Sequence, residues 1–301
     1  MSGLAQWSAL ALHLGSMIFG LAGLMLVLPN PDFVGNLSSL GSQIFGWGMS
    51  AGGATYMILA AIATVIYGVR TLGWSQLLTF MIPAVFLSLG SELLGTSTGF
   101  PFGEYGYLTG LGSKVAELVP FTIPLSWFYM GFACWLLAIS AMRPGKSWFV
   151  RLEAIATAAM MLTAWDFVLD PAMSQSAYPF WYYPNAELNP FGLFFGTPIL
   201  NSGGWMLTGA LFMTVATLLW GDRPLPVLTK QQLLFPVILY CGNFIFGLAL
   251  SLSAGIYPPI FLGVLLGVAP VFGLWQLAPE QSASQLISTE TSQIPIKSLA
   301  R

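Results

Sequence analysis

The sequence predicts an all-α fold: a polytopic integral membrane bundle of about eight transmembrane helices. Three observations predict it. Of 301 residues 56% are hydrophobic and only 7% are charged, too few polar groups to cover a water-soluble globule. Eight segments have the length and apolarity to cross a ~30 Å hydrocarbon layer, which takes about 20 residues. The basic residues also fall in alternate loops.

In chain order the predicted spans are Ser8 to Leu28, Ala51 to Val69, Trp74 to Leu94, Ala116 to Met142, Glu153 to Leu169, Ser202 to Trp220, Leu233 to Ala254 and Ile256 to Ala278. Each must be helical, because lipid offers no partner to an unpaired backbone group. The last two are separated only by Ala254 to Pro259, a short turn or a kink. The first apolar run lacks a basic lead and is too long for the core of a secretory signal, so it reads as a true span. Residues 1–278 form one predicted transmembrane domain. Residues 279–301, rich in Ser, Thr and Gln, are expected to be a disordered cytoplasmic tail.

Arg70, Arg143, Lys146, Arg151, Arg223, Lys230, Lys297 and Arg301 share one side of this topology, and only Lys114 lies on the other. That bias places both termini in the cytoplasm. Cysteines introduced at Ser176 and Asn185 are therefore expected to react with an impermeant thiol reagent from outside the cytoplasm, and cysteines at Gly145 and Gly221 only from inside. The reverse pattern would invert the topology.

Carboxylates inside membrane spans usually mark a site. Glu92 closes the third span, Asp170 follows the fifth, and Asp166 lies one turn deeper. The spacing of Asp166 and Asp170 stacks them on one helix face, about 6 Å apart along the axis. Helix C-termini favour cations, so three acids at such ends run against the usual pattern. A shift of 78 residues carries Glu92 onto Asp170, Phe100-Pro101-Phe102 onto Tyr178-Pro179-Phe180, Tyr105 onto Tyr183, Pro120 onto Pro198 and Trp127 onto Trp205. An internal repeat of residues 81–132 in residues 159–210 is expected from that match. Glu104 and Glu117 are weaker candidates, the latter as an i, i+3 partner of Lys114.

The loop Pro171 to Asn201 contains no Lys or Arg but includes Tyr178, Phe180, Trp181, Tyr182, Tyr183, Phe191, Phe194 and Phe195. Part of this is an interfacial aromatic belt, and part suits a lid over an apolar ligand. Asn243 is expected to bond between helices. His13, the single histidine, is expected to be a structural hydrogen-bonder, which excludes a multi-histidine metal site. Cys134 and Cys241 lie singly in separate spans and read as packing residues.

At Glu92-Leu-Leu-Gly-Thr-Ser-Thr-Gly-Phe-Pro-Phe-Gly-Glu-Tyr-Gly-Tyr107, Pro120 to Trp127, Trp165-Asp-Phe-Val-Leu-Asp-Pro171 and Gly196 to Trp205, the chain resembles the CruF-type carotenoid hydratases. The likeness covers roughly Leu87 to Gly209. It implies an integral membrane enzyme that adds water to the terminal double bond of an acyclic carotenoid end, as in γ-carotene or lycopene, giving a tertiary alcohol. In cyanobacteria-like members that step leads toward myxol glycosides. Carotenoid from the bilayer, water and membrane lipid are the expected partners, with other carotenoid biosynthesis enzymes besides and no nucleic acid. Neither a cofactor nor a metal is expected.

The residues suit this chemistry. Hydration of a trisubstituted alkene needs a neutral acid to protonate the less substituted carbon, and burial and like-charge neighbours both favour the protonated form of a carboxyl. Asp170 or Asp166 is the expected general acid, with Glu92 as its partner or as the base that orients water. Tyr105, Trp181 and Trp205 are expected to line the cation, and Asn201 to hold the water. Three other readings stay open. An intramembrane prenyltransferase would use Asp-x-x-x-Asp for magnesium diphosphate, yet only Lys114 is basic on this side. A carotenoid cyclase shares the protonation step. A transporter of an apolar molecule would suit a repeat, though the polar groups cluster at one membrane face.

Overall fold

A computed structural model describes residues 3–143, 147–188, 191–221 and 225–280. Within them eight helices are long and apolar enough to cross a membrane. They are α1 (Gly3–Val27), α2 (Ser39–Thr71), α3 (Trp74–Thr98), α4 (Ile123–Met142), α5 (Trp148–Gln175), α6 (Ile199–Trp220), α7 (Lys230–Ser253) and α8 (Pro258–Leu277). Residues 281–301 of the expected tail, with Lys146 and Arg223, lie outside the described residues.

Burial decides where each helix sits. From Ile123 to Ser140, α4 buries every residue except Leu125, the pattern of a helix surrounded by others. Helices α3, α5, α7 and α2 pack around it, and α6 closes the group against α3 and α5. Helices α1 and α8 show lipid much of their length, with Leu12, Ile18, Leu26, Phe261 and Leu277 exposed. Interhelical hydrogen bonds add direction where apolar contact alone gives none: Tyr240 donates to the Met161 carbonyl at 2.8 Å and Ser251 to the Val168 carbonyl at 2.6 Å, both tying α7 to α5.

Several boundaries differ from the sequence reading, each for a local reason. The segment Ala116 to Thr122 is not helical. Strands β2 (Lys114–Val115) and β3 (Val119–Pro120) form a hairpin there, turned by Ala116 and Glu117 at positive φ. Lys114 donates to the Tyr107 carbonyl in place of the expected pair with Glu117. Helix α2 starts at Ser39, where the Ser38 hydroxyl caps the Gly41 N–H, well before the expected Ala51. Helix α5 runs through Pro171 to Gln175, and α3 reaches Thr98 before Gly99 ends it in the left-handed conformation. Glu92 and Asp170 therefore lie more than a turn inside their helices, so the C-terminal dipole, which acts over the last turn, is a minor influence on them. Residues Ala254 to Tyr257 form a turn, which leaves α7 and α8 as separate helices.

Two loops cap the α3 and α5 ends. Strands β1 (Gly106–Tyr107) and β4 (Trp181–Tyr182) pair antiparallel and join them. Leu108 N–H to the Phe180 carbonyl (2.8 Å) and Asn185 to Glu104 (2.7 Å) extend the seam. A second hairpin, β5 (Leu193–Phe194) with β6 (Thr197–Pro198), leads into α6. The glycines Gly95 and Gly204 admit Phe102 beneath this cap: a Cβ on Gly95 would stand 2.7 Å from that ring.

Candidate active site

Under the paired loops, Glu92, Asp166 and Asp170 line one cavity of about 50 Å³ together with Tyr105, Trp181, Asn201 and Trp205. All seven residues given a role from the sequence are in it, and the weaker candidates Glu104 and Glu117 are not. A volume of that size holds a few waters, since each needs roughly 10–15 Å³. The rest of the wall is aromatic at Tyr56, Phe102, Tyr107, Trp127, Tyr129, Trp165 and Tyr183, and is completed by Met57, Leu111, Ile123, Ser126, Leu169 and Met173.

Two of the acids are each held by three donor side chains. Glu92 Oε1 accepts from Trp127 Nε1 at 2.8 Å, and its Oε2 accepts from the Tyr105 and Tyr107 hydroxyls, the latter at 2.8 Å. Asp170 Oδ1 accepts from Trp181 Nε1 and from the Tyr183 hydroxyl (3.0 Å), while Oδ2 accepts from Tyr183 (2.8 Å) and Asn201 Nδ2 (2.8 Å). Toward the carboxylates the loop phenols act as donors. Burial first, and then the adjacent carboxylates, push Tyr105, Tyr107 and Tyr183 well above the usual phenol range, so all three keep their protons.

Asp166 differs from both. Among the described residues it accepts one hydrogen bond, from Asn201 Nδ2 to Oδ2 at 3.0 Å, while its Oδ1 takes no donor. Asn201 thus spends both amide hydrogens bridging the two aspartates. Tyr105 and Trp181 likewise bond carboxylates as well as presenting ring faces. Trp205 stacks on Trp127 with ring centroids 3.9 Å apart and planes 21° from parallel, and Trp165 meets it edge-on at 5.8 Å. Offset or edge-on pairs of this kind contribute about 0.5–1.5 kcal/mol each beyond area burial.

The sequence reading gave Tyr107, Trp127, Trp165 and Tyr183 no role in the site, although it matched Tyr183 and Trp127 across the 78-residue shift. That shift was the signal that could have found Tyr183 and Trp127. Tyr105 bonds Glu92 and Tyr183 bonds Asp170, each 13 residues beyond its acid. Below the cavity His13 and Asn243 play structural parts. His13 Nδ1 meets the Tyr56 carbonyl at 2.8 Å and Nε2 meets Asn243 Nδ2 at 3.1 Å, which assigns a neutral ring with its proton on Nδ1.

Fold and site together define a multi-pass membrane protein built round a buried, aromatic, triply acidic pocket. A sequence profile of the family described as "Carotenoid biosynthesis protein" matches residues 52–270, and the chain belongs to that family. A bisanhydrobacterioruberin hydratase from Haloarcula japonica is 30% identical over 190 residues, which are 58% of this chain and 61% of that protein. The match thus spans less than two thirds of the relative's length. No solved structure matches the chain.

Proposed function

We propose that the protein is a carotenoid hydratase, a hydro-lyase that adds water across the terminal double bond of an acyclic carotenoid end such as that of γ-carotene or lycopene. One observation carries the reading: three buried carboxyls share a cavity whose other walls are mainly aromatic and aliphatic side chains. The family and the hydratase relative support it.

In this mechanism Asp166 donates the proton. Asp166 alone of the three has an oxygen that takes no donor among the described residues, free to carry the acid's own hydrogen. Its proton passes to the less substituted alkene carbon, and the π electrons form the new C–H bond. The tertiary cation left behind faces Trp127, Trp165 and Trp205, whose negative ring faces attract it. Glu92 and Asp170, fixed by their donors as acceptors, supply negative charge without reorganising. Water adds to the cation and gives up a proton to Glu92 at Oε1, which accepts from a single donor, and proton return to Asp166 restores the start. The sum is alkene plus water to tertiary alcohol, without redox change. We further infer that residues 81–132 and 159–210 are copies of one unit. The equal acid-to-tyrosine spacing supports this, as do the hairpins before α4 and α6, with β6 (Thr197–Pro198) 78 residues after β3 (Val119–Pro120).

Expression in a bacterium that makes lycopene or γ-carotene tests the reading. The pigment is expected to gain the mass of one water, with the oxygen drawn from labelled water and not from dioxygen, and with activity that survives chelator. A cyclised pigment of unchanged mass would make the protein a cyclase. Unaltered pigment beside abundant protein would favour transport, and dependence on metal would assign the acids to an ion.

A further inference from the structure

Helices α3, α4, α5 and α6 close on one another round the acids, but the wall has a gap. Helix α2 reaches the cavity through Tyr56 and Met57 while packing chiefly on α1 and α4, and it makes no extended contact with α5. The facing bank is Leu169 and Met173 of α5. Phe246 of α7 meets the Tyr56 ring at 5.5 Å. One turn from Tyr56 toward the loop cap, on the same face of α2, is Gly52, where an added Cβ would meet nothing within 4 Å. Leu111 roofs the passage, and its neighbour Gly110 rests its carbonyl against Gly53. Beyond, α2 presents Trp47, Ile44 and Leu40 outward, as a lipid-facing helix does.

We propose that the carotenoid enters sideways from the lipid through this gap between α2 and α5, acyclic end first, with its polyene lying over Gly52 and Tyr56. The inference rests on the hydratase reading. The passage is lined by Tyr56, Met57, Leu111, Leu169 and Met173 and carries no charged side chain. It is continuous with the cavity that holds the acids. An apolar chain leaving lipid for water would expose its whole hydrocarbon surface, so a route through the aqueous face is closed to it. A lateral route keeps the polyene in an apolar medium throughout.

The test compares Gly52→Trp with Gly203→Trp. Gly203 lies on α6, is exposed, and also has open space at its Cβ. In pigment-producing membranes Gly52→Trp is expected to lose about tenfold or more in kcat/KM, most of it in KM, as for a change outside the reacting groups. Gly203→Trp is expected to match wild type. If Gly52→Trp does not accumulate, Gly52→Leu carries the test with a smaller loss in the same direction. Full activity in the bulky Gly52 variants, or a loss at Gly203 instead, overturns the portal. Absence of hydration by the wild-type protein would instead overturn the hydratase reading itself.

Discussion

Asp166→Asn is expected to lower hydration by ~10²-fold or more, toward ~10⁴-fold, the range over which a positioned general acid contributes. The amide has the outline of the acid, and its oxygen still accepts from Asn201, so the protein is expected to accumulate and to melt near the wild-type temperature. Asp170→Asn makes the informative comparison. Both Asp170 oxygens are occupied by donors from Trp181, Tyr183 and Asn201, and an amide nitrogen would confront at least one of them. A buried group left unpaired costs about 1–3 kcal/mol, so Asp170→Asn is expected to lose thermal stability as well as activity. Pigment turnover per unit of protein, with melting curves on the same preparations, separates the two. More than about a tenth of wild-type activity in Asp166→Asn, outside the range of a general acid, would remove Asp166 as the donor.

Much of the fold was legible because lipid imposes a simple rule. Runs of apolar residues located all eight helices, and the boundaries at Trp74, Met142 and Trp220 are those of the structure, since Gly73, Arg143 and Gly221 punctuate them sharply. What misled was composition without geometry. Ala116 to Thr122 is apolar enough to extend α4, but positive φ at Ala116 and Glu117 makes it a hairpin. Residues 39–50 are rich in Gly and Ser and carry little hydropathy, yet they are helical. Pro171 reads as a stop, but a membrane helix tolerates the lost N–H when neighbours satisfy the freed carbonyls. At the site, residue types were readable and partnerships were not. Nothing in the sequence ties Tyr107 to Glu92, because the β1–β4 pairing that brings it there joins loops about 75 residues apart. The exposed oxygen of Asp166 likewise depends on the placement of Asn201 from another helix.

Glu92→Gln is expected to impair both chemistry and fold, and the two losses have separable causes. Oε1 accepts from Trp127 and Oε2 from two tyrosines, whereas a glutamine has a single acceptor oxygen. Turned one way, its NH2 opposes the indole N–H, which has no alternative role. Turned the other, it opposes two hydroxyls that can rotate to accept, so this orientation is the cheaper. Even so, two buried phenols then need new acceptors, and a cost of about 1–3 kcal/mol follows, visible as a lower melting temperature. Chemistry suffers independently, because the charge facing the cation is gone and an amide cannot take the proton of the added water; a loss of ~10²-fold or more is expected. Tyr105→Phe and Tyr107→Phe divide the two effects. Each removes one donor and leaves the carboxylate, so each is expected to cost ~1 kcal/mol in stability with a much smaller loss of turnover. If the phenylalanine variants were as inactive as Glu92→Gln, the tyrosines would be the reacting groups. If Glu92→Gln lost stability but kept its turnover, Glu92 would be a structural anchor, and the base would have to be sought at Asp170.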